Sequence, residues 1–307
     1  MGGKEKHMSD DTQGQIDIGR VGLWCGALDS IASSEAVEWV AEAEDLGYSA
    51  MWVPETVGRD PFISASLLLG GTSTIRIATG IANIYARDPM TMANTQRSLA
   101  EAFPGRFLLG LGVSHHTLVA WVRKHDYSKP LSYMRDYLAA MDKAMFKAVG
   151  PAERPDTVLA ALGPKMLELA ASATAGAHPY FAPVEHTALA RETMGAAAKL
   201  YPEQMVVLET DPSAARAIAR KHMSIYLGLP NYANNLVRMG FPEEELADGG
   251  SDRVVDAVVA WGDETAIAAR VDEQFAAGAD HVCVQVLTGS SADIRPAWRN
   301  LAPALNA

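Results

Sequence analysis

The residues of this chain that are best suited to chemistry lie directly after short apolar runs. Glu55 and Thr56 follow one such run, and His115 and His116 follow another. Carboxylates and imidazoles are the usual groups for moving protons at an active site, and a histidine titrates near neutrality. Adjacent residues of an extended chain point in opposite directions, so at most one of the two histidines can face a ligand. The pattern predicts His115 and Glu55 as catalytic candidates.

A second candidate site is the start of a helix, at Gly163-Pro164-Lys165. The first turn of a helix presents unpaired N–H groups at the positive end of the helix dipole, and these groups bind phosphate. Lys165 adds a positive charge there. The pattern therefore predicts a phosphate site, although Gly-Pro turns alone are common.

The elements that must position these residues are short strands that alternate with helices from residue 19 onward. Alternation of this kind predicts a parallel sheet with right-handed crossovers. Eight strands favour a closed (β/α)8 TIM barrel with helical insertions, whose active site lies where the strands end. An open doubly wound sheet is the alternative, but no strand is followed by a Gly-rich dinucleotide-binding turn. The predicted strands are Val21–Gly26, Ser49–Glu55, Ile75–Asn83, Phe107–Ser114, Thr157–Leu162, Ala175–Phe181, Gln204–Glu209 and His281–Leu287.

The domain organisation follows from this pattern. We expect one catalytic barrel over residues 18–307, preceded by a disordered tail over residues 1–17. The tail is polar and lacks the apolar segment of a signal peptide. Its His7-Met8 junction is consistent with a tag remnant before a native start at Met8.

Composition excludes several classes of function. The 307 residues carry a net charge of −11, whereas a nucleic-acid interface needs basic patches. No apolar run approaches the ~18 residues of a membrane span, so we expect a cytoplasmic protein. Cys25 and Cys283 lie in apolar runs, which indicates buried thiols rather than a disulfide or a metal site.

Four phrases occur in this order along the chain: Ala43-Glu-Asp-Leu-Gly-Tyr-Ser-Ala-Met-Trp-Val-Pro-Glu55, Ile77-Ala-Thr-Gly-Ile-Ala-Asn83, Pro104-Gly-Arg-Phe-Leu-Leu-Gly-Leu-Gly-Val-Ser114 and Leu162-Gly-Pro-Lys-Met-Leu-Glu-Leu-Ala170. Together they resemble the bacterial luciferase-like monooxygenase superfamily, and within it the branch that uses the deazaflavin coenzyme F420. The resemblance implies a barrel with one insertion-bearing region, a small-molecule substrate and a homodimer. The phrase Gly112-Val-Ser-His115 with His125-Asp-Tyr-Ser-Lys-Pro130 resembles an actinobacterial subgroup of deazaflavin oxidoreductases with unassigned substrates.

The resemblance also implies which residues hold the cofactor. A non-proline cis peptide at Gly80-Ile81 would support the deazaflavin ring, with Asn83 close by. The other implied contacts come from the end of the fourth strand and from the phosphate-binding turn: Val113, Ser114, Leu162, Gly163, Lys165 and Met166.

The chain departs from the family members that oxidise sugar phosphates. Those members have Asp-His after the second strand and Glu after the fourth, where this chain has Glu55-Thr56 and His115. Sugar-phosphate oxidation is therefore not carried over.

The predicted activity is hydride transfer between F420 and a small organic substrate, with His115 exchanging a proton with that substrate. We expect the substrate pocket to include Trp24, Thr56, His116 and His178, although His178 fits a buried core position equally well. Two alternatives stay open: an FMN-dependent monooxygenase, and a barrel that binds a cofactor without catalysis.

Overall fold

The computed structural model describes residues 16–306, so most of the predicted tail, residues 1–15, lies outside the described residues. The described strands pair in parallel and form one sheet. They are β1 (Val21–Trp24), β2 (Ala50–Val53), β3 (Arg76–Thr79), β4 (Ala82–Asn83), β5 (Phe107–Gly112), β6 (Thr157–Leu159), β7 (Gly176–Ala177), β8 (Lys199–Leu200), β9 (Glu203–Leu208), β10 (Val259–Gly262) and β11 (Val282–Val286).

The sheet curls until the segment 199–203 joins its two ends. On one side of this segment the Tyr201 N–H donates to the Ala177 carbonyl, and on the other side the Cys283 N–H donates to the Pro202 carbonyl. β3 and β4 together form one strand of the barrel, as do β8 and β9. Among the described strands β10 pairs only with β9 and is not part of the ring, so the ring has the eight strands of a (β/α)8 barrel. The predicted fold class is confirmed.

Helices surround this ring, and three of them start at an Asp-Pro pair. Asp60, Asp88 and Asp211 each accept backbone N–H groups of the next turn. The proline that follows each of them loses no hydrogen bond in the first turn. The helices are α1 (Ser33–Asp45), α2 (Pro61–Gly70), α3 (Pro89–Ala102), α4 (Pro130–Asp142), α5 (Pro164–Ala173), α6 (Val184–Met194), α7 (Pro212–Leu227), α8 (Pro230–Arg238), α9 (Asp252–Val258), α10 (Glu264–Ala276) and α11 (Ile294–Leu305).

Alternate strand residues divide the core into two parts. Trp52, Ala78, Leu108 and Val158 pack together inside the barrel. Their neighbours along the strands pack outward against the helices. This alternation is the two-residue period of a strand, and it leaves polar side chains at the strand ends. Within residues 16–306 no helix is long and apolar enough to cross a bilayer.

The structure differs from the predicted elements mainly around the insertion. Val259 and Ala260 begin β10, a strand that is not among the eight predicted and that pairs with β9. The strand follows α9 with no turn residue between them, so the valine-rich sequence gives no sign of the change.

Candidate active site

Two cavities lie side by side where the strands end. The first, of about 420 Å³, lies above β3, β5, β6 and β7. The second, of about 460 Å³, lies above β1 and β11, next to α7. Trp24, Pro54, Thr56 and Tyr226 belong to both walls. The expected pocket positions of Trp24 and Thr56 therefore fall between the two cavities.

The end of β3 forms the floor of the first cavity. The peptide bond between Gly80 and Ile81 is cis, as the resemblance implied. The Trp24 indole N–H donates to the Gly80 carbonyl over 3.1 Å. A Cβ atom at Gly80 would lie 2.7 Å from the Trp24 indole nitrogen and 3.2 Å from Nε2 of His178. Only glycine fits at this position without displacing the wall.

Glu55 lies in the same wall, but its carboxylate is already engaged. Arg87 donates to both oxygens, over 2.9 and 2.8 Å, and the Asn83 N–H donates to Oε2 over 2.7 Å. The Arg123 guanidinium is 3.6 Å away. A carboxylate held by so many donors is poorly suited to proton transfer. This geometry favours a structural role for Glu55, and its catalytic role stays a prediction.

Asn83 does not line the cavity, contrary to expectation. Its side chain is fully buried, and its Oδ1 accepts the Tyr85 N–H over 2.9 Å. This bond fixes the turn after β4. Asn83 therefore supports the wall through this turn and through its backbone N–H, which donates to Glu55.

His115 lies in the wall of the first cavity beside Val113 and Ser114. Its Nδ1 is 3.2 Å from the Asn231 side-chain oxygen, which can only accept. Nδ1 is therefore the protonated nitrogen, and Nε2 is an acceptor. Burial lowers the pKa of His115, so the ring is neutral at pH 7.

His116 points away from the cavity, which corrects its expected place in the pocket. The side chain is exposed, and its ring meets Trp121 and Tyr127 edge to face, each at 5.9 Å between centroids. Of the two adjacent histidines, only His115 lies in the cavity wall.

The turn before α5 forms the far end of the first cavity. Leu162, Gly163 and Met166 line it, whereas Lys165 is exposed and lies outside the wall. Arg238, at the end of α8, lies in the wall instead. Arg238 Nη2 would be 3.8 Å from a Cβ atom at Gly163. The sequence did not indicate Arg238, because nothing in the insertion shows which of its charged side chains lies against the barrel.

His178 is both a core residue and a wall residue. Its ring stacks on Trp52, with centroids 4.3 Å apart, and Nδ1 donates to the Tyr201 carbonyl over 2.7 Å. Burial lowers its pKa to about 4. Nε2 has no hydrogen-bond partner within residues 16–306. The sequence fitted a core position and a pocket position equally well. In the structure His178 is buried in the core and also lines the first cavity.

Aromatic rings close the side of the first cavity that faces the insertion. Tyr180, Tyr226 and Tyr232 pack with ring centroids 5.2 to 5.9 Å apart. Tyr180 follows β7, whereas the other two come from α7 and α8. All three tyrosines line the first cavity.

A protein-family model for luciferase-like monooxygenases matches residues 14–281. The chain belongs to this family. The members of this family are enzymes. The cis peptide lies where the resemblance to the family implied it, and the cavity lies at the strand ends. Membership alone does not distinguish F420 from FMN.

Individual relatives and solved structures agree with this assignment. A Mycobacterium tuberculosis protein assigned as a coenzyme F420-dependent oxidoreductase is 24% identical over 89% of this chain and 96% of its own length. The F420-dependent tetrahydromethanopterin reductase of Methanopyrus kandleri has a TM-score of 0.76 at 16% identity, over 94% of this chain and 99% of that one. The FMN-bound oxygenating constituent of 3,6-diketocamphane monooxygenase from Pseudomonas putida has a TM-score of 0.69 at 13% identity, over 92% and 95%. The two structures share the fold with this chain.

Proposed function

We propose that this protein is an F420-dependent oxidoreductase that transfers a hydride between F420 and a small organic molecule. The observation that carries the choice of cofactor is the likeness, over nearly the whole chain, to a relative assigned as F420-dependent. The wall of the first cavity is consistent with that choice.

The first cavity suits a flat ring that ends in a phosphate. The Gly80-Ile81 bulge offers a surface without side-chain bulk at Gly80, and the tyrosines close the opposite side. At the far end, Gly163 precedes α5 without a side-chain cap. Pro164 has no N–H and the Met166 N–H donates to the Gly163 carbonyl, so the backbone N–H of Lys165 is the one in this first turn that is available to a phosphate oxygen. Arg238 adds a guanidinium there. We therefore propose Gly80, Ile81 and Val113 as ring contacts, with the phosphate between Gly163 and Arg238.

The protein's part in the reaction is to orient the reactants, exclude water and move a proton. When bound, the deazaflavin supplies the hydride chemistry. We propose that Nε2 of His115 takes a proton from the substrate oxygen during oxidation and returns it during reduction. The ring is neutral at pH 7, so Nε2 is ready to accept. His115→Ala should lower turnover by ~10²–10⁴-fold if His115 acts as an acid or base.

The deciding experiment is a titration of the purified protein with oxidised F420 and, separately, with FMN, followed by fluorescence. Tight binding of F420 with weak binding of FMN is the expected result. Preference for FMN would instead favour an oxygen-dependent monooxygenase, the function suggested by the FMN-bound neighbour. Binding of F420 without turnover of any substrate would favour the non-catalytic alternative.

We also propose that the protein is a homodimer. Ile63 and Leu67, one turn apart on α2, are 58% and 44% exposed. Apolar side chains grouped in this way often mark an interface. Light scattering after size-exclusion chromatography should give twice the mass of the chain, and a monomer would contradict this proposal.

A further inference from the structure

A hydrogen-bonded chain of four side chains runs beside the second cavity: Tyr226, Gln285 and His222 line this cavity, and Tyr180, which lines the first, connects Tyr226 to Gln285. The Tyr226 and Tyr180 hydroxyls are 2.9 Å apart, and the Tyr180 hydroxyl is 2.9 Å from Oε1 of Gln285. Nε2 of Gln285 is 3.3 Å from Nε2 of His222. Tyr180 has one proton, and the Gln285 oxygen can only accept. Tyr180 therefore donates to Gln285, and Tyr226 donates to Tyr180.

This direction fixes the tautomer of His222. The Gln285 amide nitrogen can only donate, so Nε2 of His222 accepts and Nδ1 carries the proton. Burial lowers the pKa of His222 to about 4, so the ring is neutral at pH 7. Within residues 16–306 Nδ1 has no partner, and it is not among the fully buried polar atoms. His222 lies in the wall of the second cavity, which thus has an available neutral N–H donor.

The rest of this wall is apolar or uncharged, apart from Asp29 and Lys221. Lys221 is exposed. Asp29 accepts the Arg59 N–H over 2.9 Å. Ile218, Ile225 and other apolar side chains form most of the remaining surface. Burying an ion costs free energy unless an opposite charge is present, so the inner part of this cavity favours an uncharged ligand.

We propose that the second cavity is the substrate subsite, and that it takes an uncharged ketone, aldehyde or enone on an apolar body. His222 would donate a hydrogen bond from Nδ1 to the carbonyl oxygen. The shared residues Trp24, Thr56 and Tyr226 join this subsite to the first cavity. The redox part of this inference rests on the proposed function, whereas binding of the carbonyl compound does not.

A test of the substrate class uses ketones matched in shape and different in charge. Acetophenone is compared with 4-acetylbenzoate, and cyclohexanone with 4-oxocyclohexanecarboxylate, each with reduced F420. In each reduction the carbonyl carbon gains a hydride, the oxygen gains a proton and F420 is oxidised. We expect kcat/KM to be at least tenfold higher for the uncharged member of each pair. Preference for the carboxylates, or no reduction and no binding of either ketone, would overturn the proposal.

The role of His222 is tested with two substitutions. His222→Phe should raise KM for acetophenone about tenfold, the loss of roughly one hydrogen bond. His222→Asn should recover most of this loss, because its amide can place an N–H near the position of Nδ1. The dissociation constant for F420 should not change in either variant. An unchanged KM in His222→Phe would contradict the proposal.

Two measurements keep this test separate from that of the cofactor. Nitrogen-15 NMR of histidine-labelled protein should show His222 protonated on Nδ1, and Gln285→Met should remove this preference. Protonation on Nε2 in the native protein would overturn the assignment. If F420 does not bind, the proposed function fails. Saturation-transfer NMR with acetophenone then decides the subsite: loss of the signal in His222→Phe supports it, and an equal signal refutes it.

Discussion

The carboxylate of Glu55 connects three parts of the active-site wall. It follows β2, accepts the backbone N–H of Asn83 and pairs with Arg87, whose guanidinium also reaches Asp60 at the start of α2. The Glu55 and Arg87 side chains are only 6% and 12% exposed. Removing one member of such a pair leaves the other charge buried, which costs far more than losing an exposed pair.

We therefore expect Glu55→Gln to lower the free energy of unfolding by about 2–4 kcal/mol. Asp142→Asn is the control, because its partnership with Arg154 is about half exposed and should contribute less than ~1 kcal/mol. Urea denaturation measures both. A Glu55→Gln variant that is as stable as the native protein but inactive would support the catalytic role of Glu55.

Arg238 and Lys165 are the two candidate side chains for binding the phosphate of F420. Arg238 is in the wall of the first cavity, and Lys165 is outside it. Arg238→Gln should weaken F420 binding about tenfold, or ~1.4 kcal/mol. Lys165→Gln should change the affinity less than about threefold. Fluorescence titration of both variants provides the comparison, and a larger effect at Lys165 would reverse the assignment.

At this scale the sequence indicated the wall residues that follow strands, such as His115 and Gly163. A strand end determines where its next residues lie, so these positions followed from the barrel alone. Arg238 and Tyr226 could not be found in this way, because they reach the site from α8 and α7. Glu55 was placed correctly at its strand end, but its binding to Arg87 depends on a side chain 32 residues away.

At the scale of elements, the closure of the barrel depends on close contact between β7 and β8. A Cβ atom at Gly176 would lie 1.9 Å from the Lys199 carbonyl oxygen. Backbone cannot move aside as a flexible side chain can, so Gly176→Ala should force the two strands apart. We expect a loss of about 3 kcal/mol or more in the free energy of unfolding.

The matched control is Gly70→Ala, at the end of α2, where a Cβ atom meets nothing within 4 Å. Alanine has a higher helix propensity than glycine. Gly70→Ala should therefore leave the free energy of unfolding unchanged or raise it by up to about 1 kcal/mol. Urea denaturation again measures both changes. If Gly176→Ala were as stable as the native protein, β7 and β8 could move apart without loss of stability, which would contradict this prediction.

Most of the strands and helices could be predicted because alternation and Asp-Pro pairs are local signals. The join between β7 and β8 could not, since Lys199–Leu200 is too short to show a period. The strand β10 was missed for another reason. Its residues are apolar and β-branched like the end of α9, and only pairing with β9 distinguishes them.

For the whole molecule, buried titratable groups determine how stability depends on pH. Burial lowers the pKa of His178, His222 and His281 to about 4, whereas histidine titrates near ~6.5 in the unfolded chain. Below about pH 6.5 the unfolded chain therefore binds more protons, and stability falls as pH falls. Glu203 has the opposite effect. Burial raises its pKa to about 8, so the folded protein keeps a proton that the unfolded chain releases above about pH 4.5.

The histidines thus lower stability on the acid side and Glu203 lowers it on the alkaline side, which predicts a maximum near about pH 7. Glu203→Gln should remove the alkaline decline. Relative to the native protein, this variant should gain about 2–4 kcal/mol more stability at pH 8 than at pH 5. Glu243→Gln, at an exposed position, is the control and should follow the native curve. Urea denaturation from pH 5 to pH 8 tests this, and a native-like decline in Glu203→Gln would show that Glu203 is not its source.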